Sequence, residues 1–350
     1  MTVLFVGLGA IGQRHARNLR ALLGPQARFV AHRVRGLQQV VTPTLEADAS
    51  LDVEREYGIT AFDRLSDALA TRPAFAVIAN PTSMHVGAAL ECARAGCDLF
   101  IEKPLANVAD GIAELEAAVR AGGRIAMIAY QMRFHPIFER LRDIVSSGVL
   151  GNLLSVRATV GEHLPDWHRY EDYRHMYAAR ADLGGGVALT QIHEYDYLYA
   201  LFGMPRRIFA LGGHWSRLEI DVEDTVSALL ECRWNDRPLP VHVAQDYLQR
   251  PASRTCEVIG DRGKAVADFA ARTLTQWAAD GGERTLRVEF DRNALYLREM
   301  EHFLACVADR RRPVVDIEDG RASLEIALGA KRSIETASVV ETGPVSAHVA

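Results

Sequence analysis

Val3-Leu4-Phe5-Val6-Gly7-Leu8-Gly9-Ala10-Ile11-Gly12 sets the reading of the whole chain. Four apolar residues end at glycines spaced G-x-G-x-x-G, and an amphipathic run through Ile11, His15, Leu19 and Leu22 follows at once. The pattern is strand, tight turn, helix. Gly7 permits the sharp reversal, Gly9 lets the backbone approach a pyrophosphate, and Gly12 lets the helix lie close on the strand. The first helical residues, Ala10 and Ile11, then offer unpaired N–H groups and a positive dipole end to an anion. The flanking strand and helix are the context that this motif requires, so dinucleotide binding is the working frame.

Composition narrows the alternatives. A chain of 350 residues suits two domains. Its net charge of -5 argues against a nucleic-acid partner. The five cysteines, Cys92, Cys97, Cys232, Cys256 and Cys306, contain no C-x-x-C pair. Neither a metal site nor a disulfide framework is expected, and a cytoplasmic location is. No apolar run approaches the length of a membrane span, so no membrane partner is expected.

Outward from the glycines, Arg28–His32 reads as the second strand. An NAD site would place an Asp or Glu near this point for the ribose hydroxyls. This chain offers His32, Arg33 and Arg35 instead, which favours NADP(H) and leaves NAD(H) open. Residues 36 to 56 read as a loop and then a helix near Leu51 to Tyr57. Ile59–Phe62 is a short strand, Ser66 caps a helix through Leu69, and Phe75–Ala79 is an unbroken apolar strand of a parallel sheet. It ends at Asn80-Pro81-Thr82, expected beside the cofactor, with His85 either a ligand contact or a structural helix-end residue. Asp98–Glu102 then delivers Glu102-Lys103-Pro104 to a strand end, where Lys103 is the leading catalytic candidate and Glu102 and Lys103 both face the cofactor. Arg124–Tyr130 is a sixth strand.

The pattern then changes to period two at Leu154/Val156/Ala158/Val160, Val226–Trp234, Val241–Tyr247 and Leu286/Val288/Phe290, with further strands near Phe209, Val258 and Val266. Asn235-Asp236 and Gly260–Gly263 read as hairpin turns. The result is a largely antiparallel sheet with one face buried against helices and the other free to pack elsewhere, where an apolar second face would be a dimer interface. Gly184-Gly185-Gly186 leads into a helix, suggesting close approach to a ligand. On it His193 and Asp196 share a face, where the carboxylate is placed to orient the imidazole. Taken alone, His193 also reads as a packed helix residue. Two helical stripes follow, Met300 to Val307 and Leu324 to Ile334, and the tail after Val340 has no period.

Gly7-x-Gly9-x-x-Gly12 with His15, Pro81-Thr82-x-x-His85, Glu102-Lys103-Pro104, the Gly184-Gly185-Gly186 to His193 segment and Glu223-Asp224-Thr225 together resemble the Gfo/Idh/MocA oxidoreductases. The resemblance implies an α/β chain with an N-terminal Rossmann dinucleotide-binding domain (1–128), a C-terminal α/β domain with an open, mostly antiparallel sheet for substrate binding and oligomerisation (129–340), and a loose tail (341–350). It implies hydride transfer between NAD(P) and a hydroxyl or carbonyl of a sugar, inositol or sugar nucleotide, with Lys103 and acid/base His193 in the catalytic positions. Many members carry an aspartate a few positions before that histidine, where this chain has Leu189-Thr190-Gln191. Gln131, Arg133, Trp167, Tyr173, Thr190 and His193 are the expected substrate contacts, since aromatic rings stack on sugar faces and arginine grips anions. Two other readings stand beside the dehydrogenase: a recycled, tightly held cofactor in an epimerising or eliminating reaction, and a non-catalytic NADP-binding sensor.

Overall fold

The computed structural model describes residues 1–34 and 38–343. Strands β1 (Thr2–Val6), β2 (Arg28–His32), β3 (Gln39–Val41), β4 (Ala47–Asp52), β5 (Ile59–Phe62), β6 (Phe75–Ile78), β7 (Asp98–Glu102) and β8 (Ala126–Ala129) occupy the N-terminal part. Helices α1 (Ala10–Leu23), α2 (Val53–Tyr57), α3 (Leu65–Leu69), α4 (His85–Arg94) and α5 (Ile112–Gly122) connect them. Six strands form one sheet in the order β5-β2-β1-β6-β7-β8, every pair parallel. Its central strands are buried on both faces, which is why they read as continuous apolar runs. The order reverses between β1 and β6, so the Gly7 and Asn80 turns flank the crevice where open α/β sheets bind ligands.

The region expected to be a loop before α2 is a small antiparallel hairpin, β3 with β4. Gln13 of α1 supplies its anchor: its side chain accepts from the Val41 amide at 2.7 Å and donates to Gln39 O at 3.1 Å. A side-chain strand partner leaves no period-two apolar signature in Ala47–Asp52, which is mostly exposed. Ser66 lies inside α3, whose N-cap is Arg64, so the expected serine cap is not formed.

The C-terminal part holds α6 (Pro136–Ser146), β9 (Leu153–Gly161), α7 (Val187–Thr190), α8 (His193–Phe202), β10 (Arg207–Gly213), β11 (Thr225–Trp234), β12 (Arg237–Asp246), β13 (Ser253–Gly260), β14 (Gly263–Asp268), β15 (Thr273–Ala278), β16 (Glu283–Arg287), α9 (Arg292–Asp309), α10 (Ile317–Thr336) and β17 (Val340–Glu341). Nine of these strands form a sheet in the order β16-β15-β14-β13-β9-β12-β11-β10-β17. Its pairs are antiparallel except β9 with β12, which run parallel at the centre. Strand β15 lies between two expected strands without a clean alternation of its own. β16 stops at Arg287 and is exposed throughout, so Val288 and Phe290 lie beyond it. Asn235 and Asp236 both adopt positive φ (47° and 62°), as a two-residue hairpin requires. The tail begins in order rather than loosely: β17 pairs with β10, and Thr342 N donates to Arg206 O at 3.0 Å. Arg35 and residues 344–350 lie outside the described residues.

Helix α9, within the expected 129–340 domain, packs on the first sheet: Phe303 meets Phe75 and Phe100 edge-on at 5.3 and 5.4 Å. Among the described residues no helix is long and apolar enough to cross a membrane.

Candidate active site

The glycine turn has the geometry that its spacing predicts. Gly7 has φ +95°, and a Cβ there would lie 2.7 Å from Ala79 O and Asn80 N, so only glycine lets β1 meet β6 at this turn. A Cβ on Gly12 would fall 2.4 Å from Gly7 O, whereas one on Gly9 would meet nothing within 4 Å. Gly9 is the N-cap of α1, no side chain caps the helix and its first turn holds no acid. Open space and uncapped amides coincide, so these residues fit a pyrophosphate.

The second strand end is less open than expected. Arg33 forms a short ion pair with Glu54, and its side chain is only 8% exposed.

His15, one helical turn below the glycines, bonds through Nε2 to Glu102 Oε1 at 2.6 Å. The other carboxylate oxygen accepts from the Lys103 amide at 3.2 Å, so the glycine helix and the Glu102-Lys103-Pro104 turn are fastened together. His85 does not face the crevice: it is 1% exposed, with Nδ1 2.8 Å from Pro104 O and Nε2 2.8 Å from Asn80 O. It joins the Asn80-Pro81-Thr82 turn to the lysine turn and positions both. Burial lowers its pKa, the two carbonyls opposing.

Lys103 Nζ donates to Thr190 O at 2.7 Å, reaching from the first domain to the segment leading into His193. Burial pulls the ammonium pKa down; the charges of Glu102, Glu162 and Glu194 oppose this, and Arg254 adds to it. His193 is 3% exposed and lies edge-on to Tyr130 at 5.7 Å. Burial first, then Lys103 and Arg254, hold its pKa well below the usual histidine range. The ring is therefore a neutral proton acceptor. Among the described residues its buried Nδ1 has no hydrogen-bond partner.

Asp196 does not orient this ring. It is fully buried and accepts two bonds from Arg133, at 2.7 and 2.8 Å, and one from Ser323 at 3.3 Å. Arg133, also 4.0 Å from Asp319, is committed to this cluster and is not open to substrate. The triple glycine likewise approaches protein rather than ligand. Cβ atoms there would strike Thr82 and Asn107 from Gly184, Tyr177 O from Gly185 and the Glu223 carboxylate from Gly186. Glu223 itself binds Lys331 at 2.7 Å, and Asp224 caps the Trp215 and Ser216 amides.

Of the other expected contacts, Gln131 sits on the single turn after β8. The Thr190 hydroxyl bonds to Gly186 O and to the Tyr247 hydroxyl, Trp167 packs edge-on against Tyr247 at 5.3 Å, and the Tyr173 hydroxyl accepts from the Glu219 amide. The sequence reading missed the ionic neighbour of the base: Glu194, fully buried, pairs with Arg254 of β13 at 3.0 Å. A charge beside a candidate base was the available signal; its partner, 60 residues away, had none.

Residues 1–130 match the family profile described as an oxidoreductase family, NAD-binding Rossmann fold, and residues 138–266 match the GFO/IDH/MocA C-terminal domain. Trans-1,2-dihydrobenzene-1,2-diol dehydrogenase of Bos taurus is 30% identical over 263 residues, 74% of this chain and 72% of that protein. Myo-inositol 2-dehydrogenase of Thermotoga maritima is 27% identical over 352 residues, 96% of each. A solved levoglucosan dehydrogenase in complex with NADH superposes with a TM-score of 0.82 at 19% identity, covering 99% of this chain and 100% of that one. With both family profiles matched along a chain whose glycine turn and lysine turn meet at one crevice, this protein belongs to the Gfo/Idh/MocA family of oxidoreductases.

Proposed function

We propose that this chain transfers a hydride between a nicotinamide dinucleotide and a secondary hydroxyl or carbonyl of a ring-shaped polyol, a sugar, inositol or sugar nucleotide. One observation carries the reading: Lys103, fastened to the glycine helix through Glu102 and His15, reaches the segment that presents His193. The bound nicotinamide supplies the hydride acceptor or donor. In oxidation, His193 accepts the hydroxyl proton at Nε2, the nitrogen opposite the buried Nδ1. The Lys103 ammonium stabilises the developing alkoxide in a site shielded from water. Its lowered pKa also lets it share that proton. Lys103→Met is expected to lower kcat by about a hundredfold or more while the dinucleotide still binds. Turnover within a few-fold of wild type on a polyol panel overturns the assignment.

The dinucleotide is held by Gly7, Gly9, Ala10, Ile11 and Gly12, with Asn80, Pro81 and Thr82 across the crevice. NADP(H) is the preferred form, with Arg33 and Arg35 taking the 2′-phosphate in place of an acidic residue. For Arg33 this exchanges Glu54 for the phosphate. Thermal shifts with NADP(H) and NAD(H), on wild type and an Arg33→Ala/Arg35→Ala variant, test that preference. Gln131, Trp167, Tyr173 and Thr190 stand on the substrate side. Residues 1–128 serve the cofactor and 129–340 the substrate. Leu211 and Leu229 are 56% and 52% exposed on the outer sheet face, beside Phe209, which supports a homodimer or homotetramer through it. Light scattering on Leu211→Glu/Leu229→Glu against wild type tests this assembly. The five unpaired cysteines suit a cytoplasmic location.

A further inference from the structure

The acidic residue missing before His193 leaves open which group recognises the rest of a polyol. Strand β9 supplies a carboxylate from elsewhere. Val156, Ala158 and Val160 are buried on its helix-facing side, and Glu162 follows directly after the strand's last residue, Gly161. The backbone there is fixed: Glu162 N donates to Asp246 O at 3.2 Å, His163 N to Gln249 O at 3.1 Å and Leu164 N to Tyr247 O at 3.0 Å.

The Asp246 carbonyl that holds Glu162 also accepts from Gln191 Nε2 at 3.0 Å. Gln191 is held a second time, its backbone carbonyl accepting from Gln245 Nε2 at 2.6 Å. Thr190, the residue before it, takes the bond from Lys103 Nζ. A short chain of bonds thus runs from Lys103 through Thr190 and Gln191 to Asp246 and Glu162.

Charge points the same way. The neighbouring cation, Arg254, is committed to Glu194. Among the described residues the Glu162 carboxylate makes no hydrogen bond or ion pair, and the residue is partly buried. Its charge nonetheless acts on Lys103, Arg254 and Glu194. A partly buried acceptor without a protein donor, its backbone tied through Asp246 and Gln191 to the segment that bonds Lys103, matches a ligand that brings donors of its own. Hydroxyl groups are such donors, and hydrogen bonds to an ionised acceptor are among the stronger ones.

We propose that Glu162 is a specificity-determining residue that accepts a hydrogen bond from a hydroxyl neighbouring the one oxidised, so that the site selects ring vicinal diols over simple secondary alcohols. This rests on the proposed hydride transfer at Lys103 and His193.

The test compares trans-cyclohexane-1,2-diol with cyclohexanol as probes, using full-length wild type and Glu162→Gln. Turnover is followed by nicotinamide absorbance, and diol binding by fluorescence titration of the NAD(P)H complex. A dinucleotide-induced melting shift in both proteins establishes that each is folded. The wild type should prefer the diol, and the substitution should reduce the diol-to-monoalcohol ratio of kcat/KM by about tenfold or more, with matching loss of diol affinity. If both alcohols are oxidised and the ratio is unchanged, Glu162 does not read the second hydroxyl and the hydride-transfer reading stands. If dinucleotide binds but the wild type neither oxidises nor binds either probe, the hydride-transfer reading fails for such rings, and this inference fails with it.

Discussion

Gly9→Ala separates what the glycine turn does for the fold from what it does for a ligand. Gly9 has φ -69° and ψ -172°, which any L-residue adopts, and an added Cβ meets nothing within 4 Å. Two small effects on stability oppose one another. Restricting the unfolded chain favours alanine by about 0.4–1 kcal/mol, and alanine is a poorer N-cap than glycine by roughly 0.5–1 kcal/mol. The variant should unfold within about 1 kcal/mol of wild type. Gly12→Ala should not: its Cβ falls 2.4 Å from a backbone oxygen, and overpacking of this kind costs about 1–3 kcal/mol. The open direction at Gly9 is where a pyrophosphate oxygen must approach, so the methyl removes binding. Wild type gains about 2.7 kcal/mol with dinucleotide at 100 times its dissociation constant, and Gly9→Ala should lose most of that gain. Thermal melts with and without NADP(H) and NAD(H) read both quantities. If Gly9→Ala without ligand falls as far as Gly12→Ala, or keeps the full ligand shift, the assignment of the open space to the ligand is wrong.

Other consequences concern buried charge. Arg133→Met strands Asp196 in the core and should cost about 3–5 kcal/mol in chemical denaturation, much of it recovered in Arg133→Met/Asp196→Leu; equal losses in both would refute the pairing. Burial lowers the His135 pKa to about 4 from 6.5, so on acidification the unfolded chain takes up the proton first. Its contribution is complete above about pH 6.5 and is lost as pH falls towards 4, up to about 3 kcal/mol. His135→Asn keeps an acceptor for the Ile137 amide and should flatten the stability curve over that window, whereas an unchanged slope would contradict the assignment. Glu299 is fully buried, among the described residues neither of its carboxylate oxygens has a hydrogen-bond partner, and burial raises its pKa well above 4.5. The folded state holds that proton longer, so stability falls as pH rises above about 4.5, and Glu299→Gln should gain on wild type between pH 5 and 8 in parallel denaturation curves.

The fold was legible where a local rule leaves one solution. The buried strands Phe75–Ile78 and Asp98–Glu102 are apolar runs because both faces are covered, and the glycine spacing is fixed by clashes of 2.7 and 2.4 Å that any side chain would make. Pieces held from a distance were illegible. The β3–β4 hairpin depends on Gln13, 28 residues before the Val41 amide it receives, and β17 depends on the free edge of β10. Neither dependence leaves a period in the segment itself.

The site divides along the same line. Lys103 and His193 stand at a strand end and after a glycine turn, positions with local signatures, whereas their partners do not: Lys103 and Thr190 are 87 residues apart, as are His15 and Glu102. The pairing inferred from local spacing, His193 with Asp196, is the one that failed. A carboxylate with no exposure needs the strongest donors within reach, and the two parallel N–H groups of a guanidinium exceed one imidazole N–H. Arg133 therefore takes Asp196 and ties α8 to the turn after β8. His193 is left with a buried Nδ1 that has no hydrogen-bond partner among the described residues, and with Lys103 and Arg254 as its charged neighbours. The helix spacing put base and acid on one face, but the buried cation decided which of them could use it.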